Sequence, residues 1–242
     1  MKQSIPNLIT LGNLACGLLA ITFVMQGQPL IAFILMVIAS ILDFFDGMAA
    51  RALGVDGELG KQLDSLADVV SFGVVPGLIW RHFMMMRGVC PPSGFCINSY
   101  VWMLIPLAAA YRLAVFNVSE NQKTNFMGIP TPLTGLVLGS WALFNHSLGG
   151  VAAIKFGFIE LDWLNHFYVW LYMPLIAGYM MVSDYPMLSL KFNKTDGLNL
   201  FRYLLLGLGV VLAVVFGNYG FALFYFAYIG ISFLGFKLHP TE

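Results

Sequence analysis

Long apolar stretches, separated by short polar breaks, follow one another along most of the chain. A helix needs about 20 apolar residues to cross the hydrocarbon core of a bilayer. The pattern therefore predicts an all-α fold, a polytopic membrane helix bundle forming one integral membrane domain over residues 1–242, with a catalytic core over about 1–191. The eight predicted spans are residues 8–26, 29–50, 64–86, 99–117, 132–148, 165–184, 200–216 and 219–236.

The first apolar run resembles a secretory signal peptide at first sight. It is longer than the apolar part of such peptides, and no small-residue cleavage site precedes Gln26. We therefore expect it to be a membrane span.

Positive charges between the spans predict the orientation of the chain in the membrane. With the N-terminus in the cytoplasm, nine Lys and Arg residues fall on the cytoplasmic side and three fall on the other side. We therefore expect both termini and the polar ends of the second and third spans to face the cytoplasm, in the plasma (inner) membrane of a bacterium or archaeon. The three residues expected outside are Arg81, Arg87 and Lys155.

The composition agrees with a chain that is solvated by lipid. Hydrophobic residues make up 59% of the sequence and charged residues only 10%, against about 25% charged residues in soluble domains. The 12 basic and 12 acidic residues balance, so the chain has no overall basic field and we expect no nucleic-acid partner.

Four aspartates interrupt the apolar pattern around the second and third spans. Asp43 and Asp46 lie three positions apart near the end of one span, and Asp64 and Asp68 lie four apart at the start of the next. These spacings place each pair on one face of its helix. Because a short polar loop joins the two helices, we predict antiparallel neighbours whose carboxylates converge at one membrane depth.

The alternative is that these acids are ordinary helix-end residues, as we expect for Asp56 and Glu58 in the loop. An Asp at the centre of a membrane helix costs roughly 2.5–3.5 kcal/mol, and four close carboxylates repel one another unless cations are present. Oxygen ligands favour Mg²⁺, Mn²⁺ or Ca²⁺ over zinc. We therefore predict that the four aspartates hold two divalent metal ions, Mg²⁺ or Mn²⁺.

Small residues and an arginine follow the first aspartate pair. Gly47 and Ala50 leave one helix face open for a substrate, and Arg51 lies one turn beyond Gly47. A guanidinium beside metal ions suits a pyrophosphate. The pattern therefore indicates phosphoryl transfer on a lipid-linked substrate.

The segment from residue 43 to residue 68 resembles the signature of the CDP-alcohol phosphatidyltransferases. Every fixed position of that signature is matched, including its eight-residue spacer. The matched run is Asp43-x-x-Asp46-Gly47-x-x-Ala50-Arg51, then eight residues, then Gly60-x-x-x-Asp64-x-x-x-Asp68.

The resemblance implies a role for each matched residue. Asp43, Asp46 and Asp64 are chiefly metal ligands, and Asp68 is a ligand and also the general base on the acceptor hydroxyl. The family resemblance also implies a homodimer. The CDP-lipid would be bound along Gly47, Ala50, Arg51 and Gly60.

The N-terminal run from Ile5 to Asn13 is similar to the opening element of the same family. Thr10 and Asn13 share one helix face and could contact the cytidine end of the CDP-lipid. The alternative is that Asn7 caps the helix and the other two side chains pack inside the bundle.

The later flanks resemble the phosphatidylserine synthase branch of the family. The resemblance implies that the substrates are CDP-diacylglycerol and L-serine and that the products are phosphatidylserine and CMP. Val115 departs from the branch, which usually has a second arginine there. The runs that carry the resemblance are Tyr111–Val118, Phe126-x-Gly128-Ile129-Pro130-x-Pro132, and Met181-Val182-Ser183 with Lys191 downstream.

Arg112 and Asn117 are the candidate serine-binding residues. An arginine inside the membrane is a functional candidate, and its guanidinium can bind a carboxylate through two hydrogen bonds. The alternative is that Arg112 extends to the membrane interface, as long cationic side chains do, and that Asn117 simply ends its helix.

Two other functions stay open from the sequence. A sister enzyme could use glycerol 3-phosphate or inositol phosphate, although an acceptor phosphate calls for several converging basic residues. Outside the metal motif and before Lys191, the main cytoplasmic candidates are Arg112 and Lys123. A divalent-cation transporter would need acids at the bilayer midplane, whereas all four aspartates are expected near one face.

Cysteines and paired glycines carry weaker signals. Cys90 and Cys96 flank a loop that the orientation places outside, where they either form a disulfide or stay as two thiols. Two Gly-x-x-x-Gly pairs either allow close helix contact or are glycines scattered through membrane helices. These pairs are Gly73 with Gly77 and Gly135 with Gly139.

Overall fold

The structure is a computed structural model of the 242-residue chain. It describes residues 4–55, 57–86, 88, 97–118, 126–147, 155–156, 159–160, 167–188, 198–216 and 218–238. The helices are α1 (Ser4–Met25), α2 (Pro29–Leu53), α3 (Glu58–Asp68), α4 (Val75–Met86), α5 (Leu104–Val118), α6 (Thr131–Ser147), α7 (Phe167–Val182), α8 (Asn199–Phe216) and α9 (Asn218–Leu238).

Two irregular helical segments and two short ribbons complete the described chain. A π-helical segment, Val69–Val74, joins α3 to α4, and a 3₁₀ helix, Ile97–Met103, precedes α5. The strands are β1 (Phe126–Met127), β2 (Lys155–Phe156), β3 (Ile159–Glu160) and β4 (Pro186–Met187). β1 pairs antiparallel with β4, and β2 pairs antiparallel with β3.

Each predicted span coincides with a helical segment, so the all-α membrane bundle is confirmed. Four helical rods are long and apolar enough to cross a bilayer, namely Ser4–Met25, Pro29–Leu53, Glu58–Met86 and Asn98–Val118. The total of eight spans stays a prediction, because the shorter apolar helices are described over Thr131–Leu143, Tyr168–Val182 and Leu223–Lys237.

The third rod begins earlier than the sequence predicted. Glu58 starts α3, so Asp64 lies well inside the helix rather than in its first turn, and Glu58 is not a loop residue. The apolar pattern begins only at Asp64 because the preceding turns are amphipathic and polar. Glu58 provides the acidic residue in the first turn that suits the helix dipole. Asp56 lies outside the described residues.

Small residues bring the helices around the π segment close together. A Cβ atom on Gly17 would lie 2.6 Å from Oγ of Ser71, and one on Gly135 would lie 2.7 Å from the carbonyl oxygen of Phe72. A Cβ on Gly73 or Gly77 would lie 3.1 Å from atoms of the 3₁₀–α5 segment. Both Gly-x-x-x-Gly pairs therefore allow close helix contact, which the sequence had left open.

Two apolar cores hold the bundle together. The first joins α1, α2 and α4–α7 around Phe72, Trp80 and Trp170, and Nε1 of Trp80 donates to the carbonyl oxygen of Trp170 at 2.9 Å. The second joins α6, β4, α8 and α9 around Met187, Leu205, Tyr225 and Tyr228.

Large apolar side chains also cover the outside of the helices. Leu8, Ile34 and Phe44 are 65%, 50% and 62% exposed. Exposure of apolar surface to water costs roughly 25 cal/mol per Å², so this outer surface is suited to lipid.

Candidate active site

α1 lies between the two helices that carry the aspartates. It packs along α2, along α3 and against the π segment, whereas α2 and α3 make little direct contact with each other. The sequence predicted α2 and α3 as antiparallel neighbours whose carboxylates converge. The structure has a cleft between the two helices. α2 ends at Leu53, and the N–H of Gly54, which has a left-handed φ of 62°, donates to the carbonyl oxygens of Ala50 and Arg51.

Three aspartates converge between α2 and α3. One carboxylate oxygen from each of Asp43, Asp64 and Asp68 lies within 4.8 Å of the other two. Asp68 is buried, and Oδ1 of Asp64 is buried without a hydrogen-bond partner in the described part of the chain. An oxygen-only cluster with an unpaired buried acceptor fits a hard divalent cation.

Asp46 lies beside this cluster and is oriented by α1. It interacts electrostatically with Asp43 and Asp64. Its Oδ2 lies 2.6 Å from Oγ1 of Thr10, which is also 3.0 Å from the carbonyl oxygen of Pro6. The fourth aspartate is therefore held by a hydroxyl group, and its role as a metal ligand stays a prediction.

Asn13 supports the deepest aspartate. Its side-chain Nδ2 donates to Oδ1 of Asp68 at 3.4 Å. Its backbone carbonyl oxygen accepts a hydrogen bond from Oγ of Ser71 at 3.2 Å. Thr10 and Asn13 were expected either to contact cytidine or to pack inside the bundle. The structure gives each of them an aspartate as partner, which the sequence did not indicate.

A cavity of about 760 Å³ opens in the cleft between α2 and α3. Five of the six residues predicted to bind the CDP-lipid line it, and Asn13 is the exception. The lining residues are Pro6, Asn7, Thr10, Asp46, Gly47, Ala50, Arg51, Val55, Gly57, Glu58, Gly60, Lys61, Asp64 and Phe116.

Glycines make room for the polar groups of this cavity. A Cβ on Gly47 would lie 3.2 Å from Nη1 of Arg51, so the bare backbone lets the guanidinium fold back along α2. A Cβ on Gly60 would lie 3.4 Å from Oδ1 of Asn7. The cavity therefore combines space beside the backbone with a cation.

Lys61 is a second cation in the cavity, and the sequence reasoning assigned it no site role. Its Nζ donates to the carbonyl oxygen of Asn117 at 2.9 Å and lies 5.6 Å from the centre of the Phe116 ring. Its position three residues before Asp64, on the same helix face, was the signal that could have identified it.

The two predicted serine-binding residues face different helices. Nη1 of Arg112 donates to Oγ1 of Thr131 at 3.2 Å, and Arg112 also interacts electrostatically with Asp68. Nδ2 of Asn117 donates to Oγ of Ser65 at 2.9 Å and to Oε1 of Gln62 at 3.2 Å. The structure therefore ties Asn117 to α3, whereas it directs Arg112 towards α6 and the aspartates.

One hydrogen-bond donor of Arg112 has no partner in the described part of the chain. This donor is Nε, which is buried. Such a group favours an acceptor supplied by a ligand, since an unpaired buried donor costs about 1–3 kcal/mol. Cys90 and Cys96 lie outside the described residues, so the structure does not test their pairing.

Comparison with known proteins gives a consistent family assignment. The model of the CDP-alcohol phosphatidyltransferase family matches residues 3–184. A CDP-diacylglycerol–serine O-phosphatidyltransferase of Bacillus subtilis is 36% identical over 135 residues, which are 55% of this chain and 72% of that protein.

Two further relatives that carry the same name match more of this chain. The Mycobacterium bovis protein is 32% identical over 194 residues, which are 76% of this chain but only 61% of the mycobacterial protein. The Helicobacter pylori protein (strain J99) is 31% identical over 211 residues, which are 85% of this chain and 80% of the relative. The chain thus spans less than two thirds of the mycobacterial relative.

Proposed function

Because the chain belongs to the CDP-alcohol phosphatidyltransferase family, we propose that it transfers the phosphatidyl group of CDP-diacylglycerol to L-serine and releases CMP. The observation that carries this proposal is the convergence of Asp43, Asp64 and Asp68 beside a cavity lined by Gly47 and Arg51. The serine acceptor is supported by the three relatives, each of which is named a CDP-diacylglycerol–serine O-phosphatidyltransferase.

The metal site of the proposed enzyme consists of the four aspartates. Oxygen ligands within 4.8 Å of one another and an unpaired buried oxygen on Asp64 fit two ions of Mg²⁺ or Mn²⁺, with Asp46 completing the set. When bound, these ions would neutralise the pyrophosphate and stabilise charge on the departing CMP.

The cavity residues bind the CDP-lipid. Arg51 and Lys61 supply positive charge for the pyrophosphate, and Gly47, Ala50 and Gly60 leave space along the helix faces. Thr10 keeps the Asp46 carboxylate in one orientation. A group that is already held in its reactive orientation loses less entropy on the way to the transition state.

Asp68 acts as the general base on the acceptor. It takes the proton of the serine hydroxyl as that oxygen forms a bond to the phosphorus of the phosphatidyl group. The bond between this phosphorus and the bridging oxygen of the pyrophosphate breaks, and its electron pair leaves with CMP. The hydrogen bond from Asn13 orients the Asp68 carboxylate for this step. Attack is direct, because the sequence offers no evident covalent nucleophile at the site.

Arg112 binds the serine carboxylate. Its Nε is an uncommitted buried donor, and its guanidinium is within electrostatic range of Asp68, so a serine bound there would present its hydroxyl near the base. Asn117 retains an unpaired Oδ1 among the described residues and is a second candidate contact for serine.

The proposed setting is the plasma membrane of a bacterium or archaeon, with the active site facing the cytoplasm. The charge asymmetry of the sequence supports this orientation. The chain would act as one integral membrane domain, and the family resemblance supports a homodimer.

The acceptor can be identified directly with purified protein. CDP-diacylglycerol, Mn²⁺ and a panel of labelled alcohols, including serine, glycerol 3-phosphate and inositol phosphate, are supplied separately, and labelled lipid is measured. Serine should be the preferred acceptor. Rapid turnover of glycerol 3-phosphate without turnover of serine would show that the chain is a sister enzyme.

A further inference from the structure

The segment from β1 to the start of α6 is fastened by its backbone to the end of α7. β1 pairs with β4, and the N–H of Gly128 donates to the carbonyl oxygen of Tyr185 at 3.0 Å. The N–H of Ile129 donates to the carbonyl oxygen of Met180 at 3.1 Å. Gly128 has a left-handed φ of 70°, and a Cβ atom there would collide with the carbonyl group of Met181. The chain that enters α6 is therefore held in one place.

Thr131 is the first residue of α6 and contacts a cation on α5. Its side chain is 0% exposed, and its Oγ1 accepts a hydrogen bond from Nη1 of Arg112 at 3.2 Å. An arginine side chain only donates hydrogen bonds, so the direction of this bond is fixed by its chemistry. Thr131 thus joins the fixed entry of α6 to the half-buried Arg112.

Polar atoms of the candidate site have hydrogen-bonding capacity that the protein does not use. Nε of Arg112 is buried without a partner among the described residues, and so is Oδ1 of Asn13, of Asp64 and of Asn117. Of these four atoms, only Nε is a donor. An unpaired buried donor costs about 1–3 kcal/mol. Binding of an anionic group of the acceptor alcohol at Arg112 would remove this cost.

We propose, resting on the function proposed above, that Thr131 is a positioning residue of the acceptor-alcohol site. Its hydroxyl oxygen binds one terminal nitrogen of the Arg112 guanidinium and so fixes the orientation of this planar group. Nε is then presented to the carboxylate of the acceptor. The same arrangement gives selectivity, because an alcohol without an anionic group leaves the buried Nε unpaired.

A purely structural role for Thr131 makes a different prediction. Thr134, three residues further along α6, is also 0% exposed, and its Oγ1 donates to the backbone carbonyl oxygen of Pro130 at 3.2 Å. Among the described residues no hydrogen bond joins Thr134 to Arg112. If both hydroxyl groups only stabilise the start of α6, loss of either should have the same effect. If Thr131 acts through Arg112, only its loss should affect acceptor binding.

Steady-state kinetics of Thr131→Val, Thr131→Ser and Thr134→Val tests the proposal, with serine and CDP-diacylglycerol varied in turn. Thr131→Val keeps the shape of the side chain and removes the hydroxyl, so the KM for serine should rise about threefold to tenfold, the effect of one lost hydrogen bond. kcat and the KM for CDP-diacylglycerol should stay within about twofold of wild type. Thr131→Ser keeps the hydroxyl and should have the wild-type KM for serine, and Thr134→Val should leave this KM unchanged.

A second comparison locates the effect at Arg112. In the Arg112→Lys background, Thr131→Val should raise the KM for serine by less than about twofold, because the residue through which it acts is already altered. An unchanged KM for serine in Thr131→Val, an equal rise in Thr134→Val, or the full rise again in the Arg112→Lys background would overturn the proposal. A KM in Thr131→Ser as high as in Thr131→Val would also count against it.

Two further outcomes are separated by the same measurements. If Thr131→Val does not fold, Thr131→Ala removes the hydroxyl without adding bulk. Its KM for serine should rise to at least the same extent, and an unchanged value would overturn the proposal. If the wild-type protein prefers another alcohol, the proposed function fails by itself, and the KM for that alcohol in the same variants decides the role of Thr131.

Discussion

At the residue scale, side chains of α1 determine how the aspartates are oriented. Thr10 bonds Asp46 and Asn13 bonds Asp68, across 36 and 55 residues of sequence. Hydrogen-bond partners of this kind orient metal-binding groups. Their substitution typically lowers metal affinity or activity about 10–100-fold. The spacing of the aspartates predicted that all four converge, and the structure groups Asp43, Asp64 and Asp68. The spacing could not predict these hydrogen-bond partners, because they depend on how α1 packs.

Asp68 and Arg112 should give opposite kinetic signatures. Asp68→Asn removes the base and should lower kcat by about 10²–10⁴-fold while CDP-lipid binding largely persists. Arg112→Lys should instead raise the serine requirement, because an ammonium group cannot reproduce the two-pronged contact of a guanidinium. Rates measured with each substrate varied in turn separate the two effects.

Either variant can contradict its assigned role. Loss of CDP-lipid binding in Asp68→Asn would make Asp68 chiefly a metal ligand. Unchanged serine saturation in Arg112→Lys would place the carboxylate contact on another residue.

At the element scale, the rod from Glu58 to Met86 carries the site and departs most from the sequence prediction. Its start was placed at Asp64 because the polar turns before it lack an apolar pattern, and its π segment was not predicted at all. Gly17 and Gly135 approach this segment closely, and such contacts between helices cannot be read from apolar periodicity along one helix.

Gly135→Ala should therefore destabilise the protein. The added methyl group would lie 2.7 Å from the carbonyl oxygen of Phe72, and overpacking of this kind costs about 1–3 kcal/mol. Thermal unfolding in detergent should show a lower midpoint. Gly207→Ala is the matched control, because the structure has nothing within 4 Å of the added atom. Equal midpoints for both variants would show that α6 does not approach the π segment this closely.

At the scale of the whole molecule, the sequence predicted the succession of helices but not the contribution of the last two. The apolar pattern assigned α8 and α9 only a membrane location. The structure packs α9 against α6 and β4, and the hydroxyl of Tyr228 donates to the carbonyl oxygen of Leu188. Contacts between segments so distant in sequence follow from the three-dimensional arrangement, which periodicity along one helix does not describe.

The orientation of the molecule is open to a direct test. The charge bias predicts that Cys90 and Cys96 lie outside the cytoplasm. A membrane-impermeant thiol reagent, applied to intact cells after mild reduction, should label this loop. The Cys90→Ser/Cys96→Ser double variant, which retains Cys16 inside α1, should lose that labelling. Labelling that occurs only after lysis would reverse the predicted topology.

The central claim is that transfer to serine depends on divalent metal held by the aspartates of α2 and α3. The most direct measurement is the Mn²⁺ dependence of phosphatidylserine and CMP formation in purified wild type, Asp43→Asn, Asp46→Asn and Asp64→Asn, with the exposed Asp184→Asn as control. Wild type and the control should form both products in equal amounts, and only with metal. Each site variant should lose at least about 100-fold in rate at the Mn²⁺ concentration that saturates wild type, since a direct ligand should matter more than an outer partner. Full activity of wild type in excess chelator, or wild-type rates in all three site variants, would contradict the account.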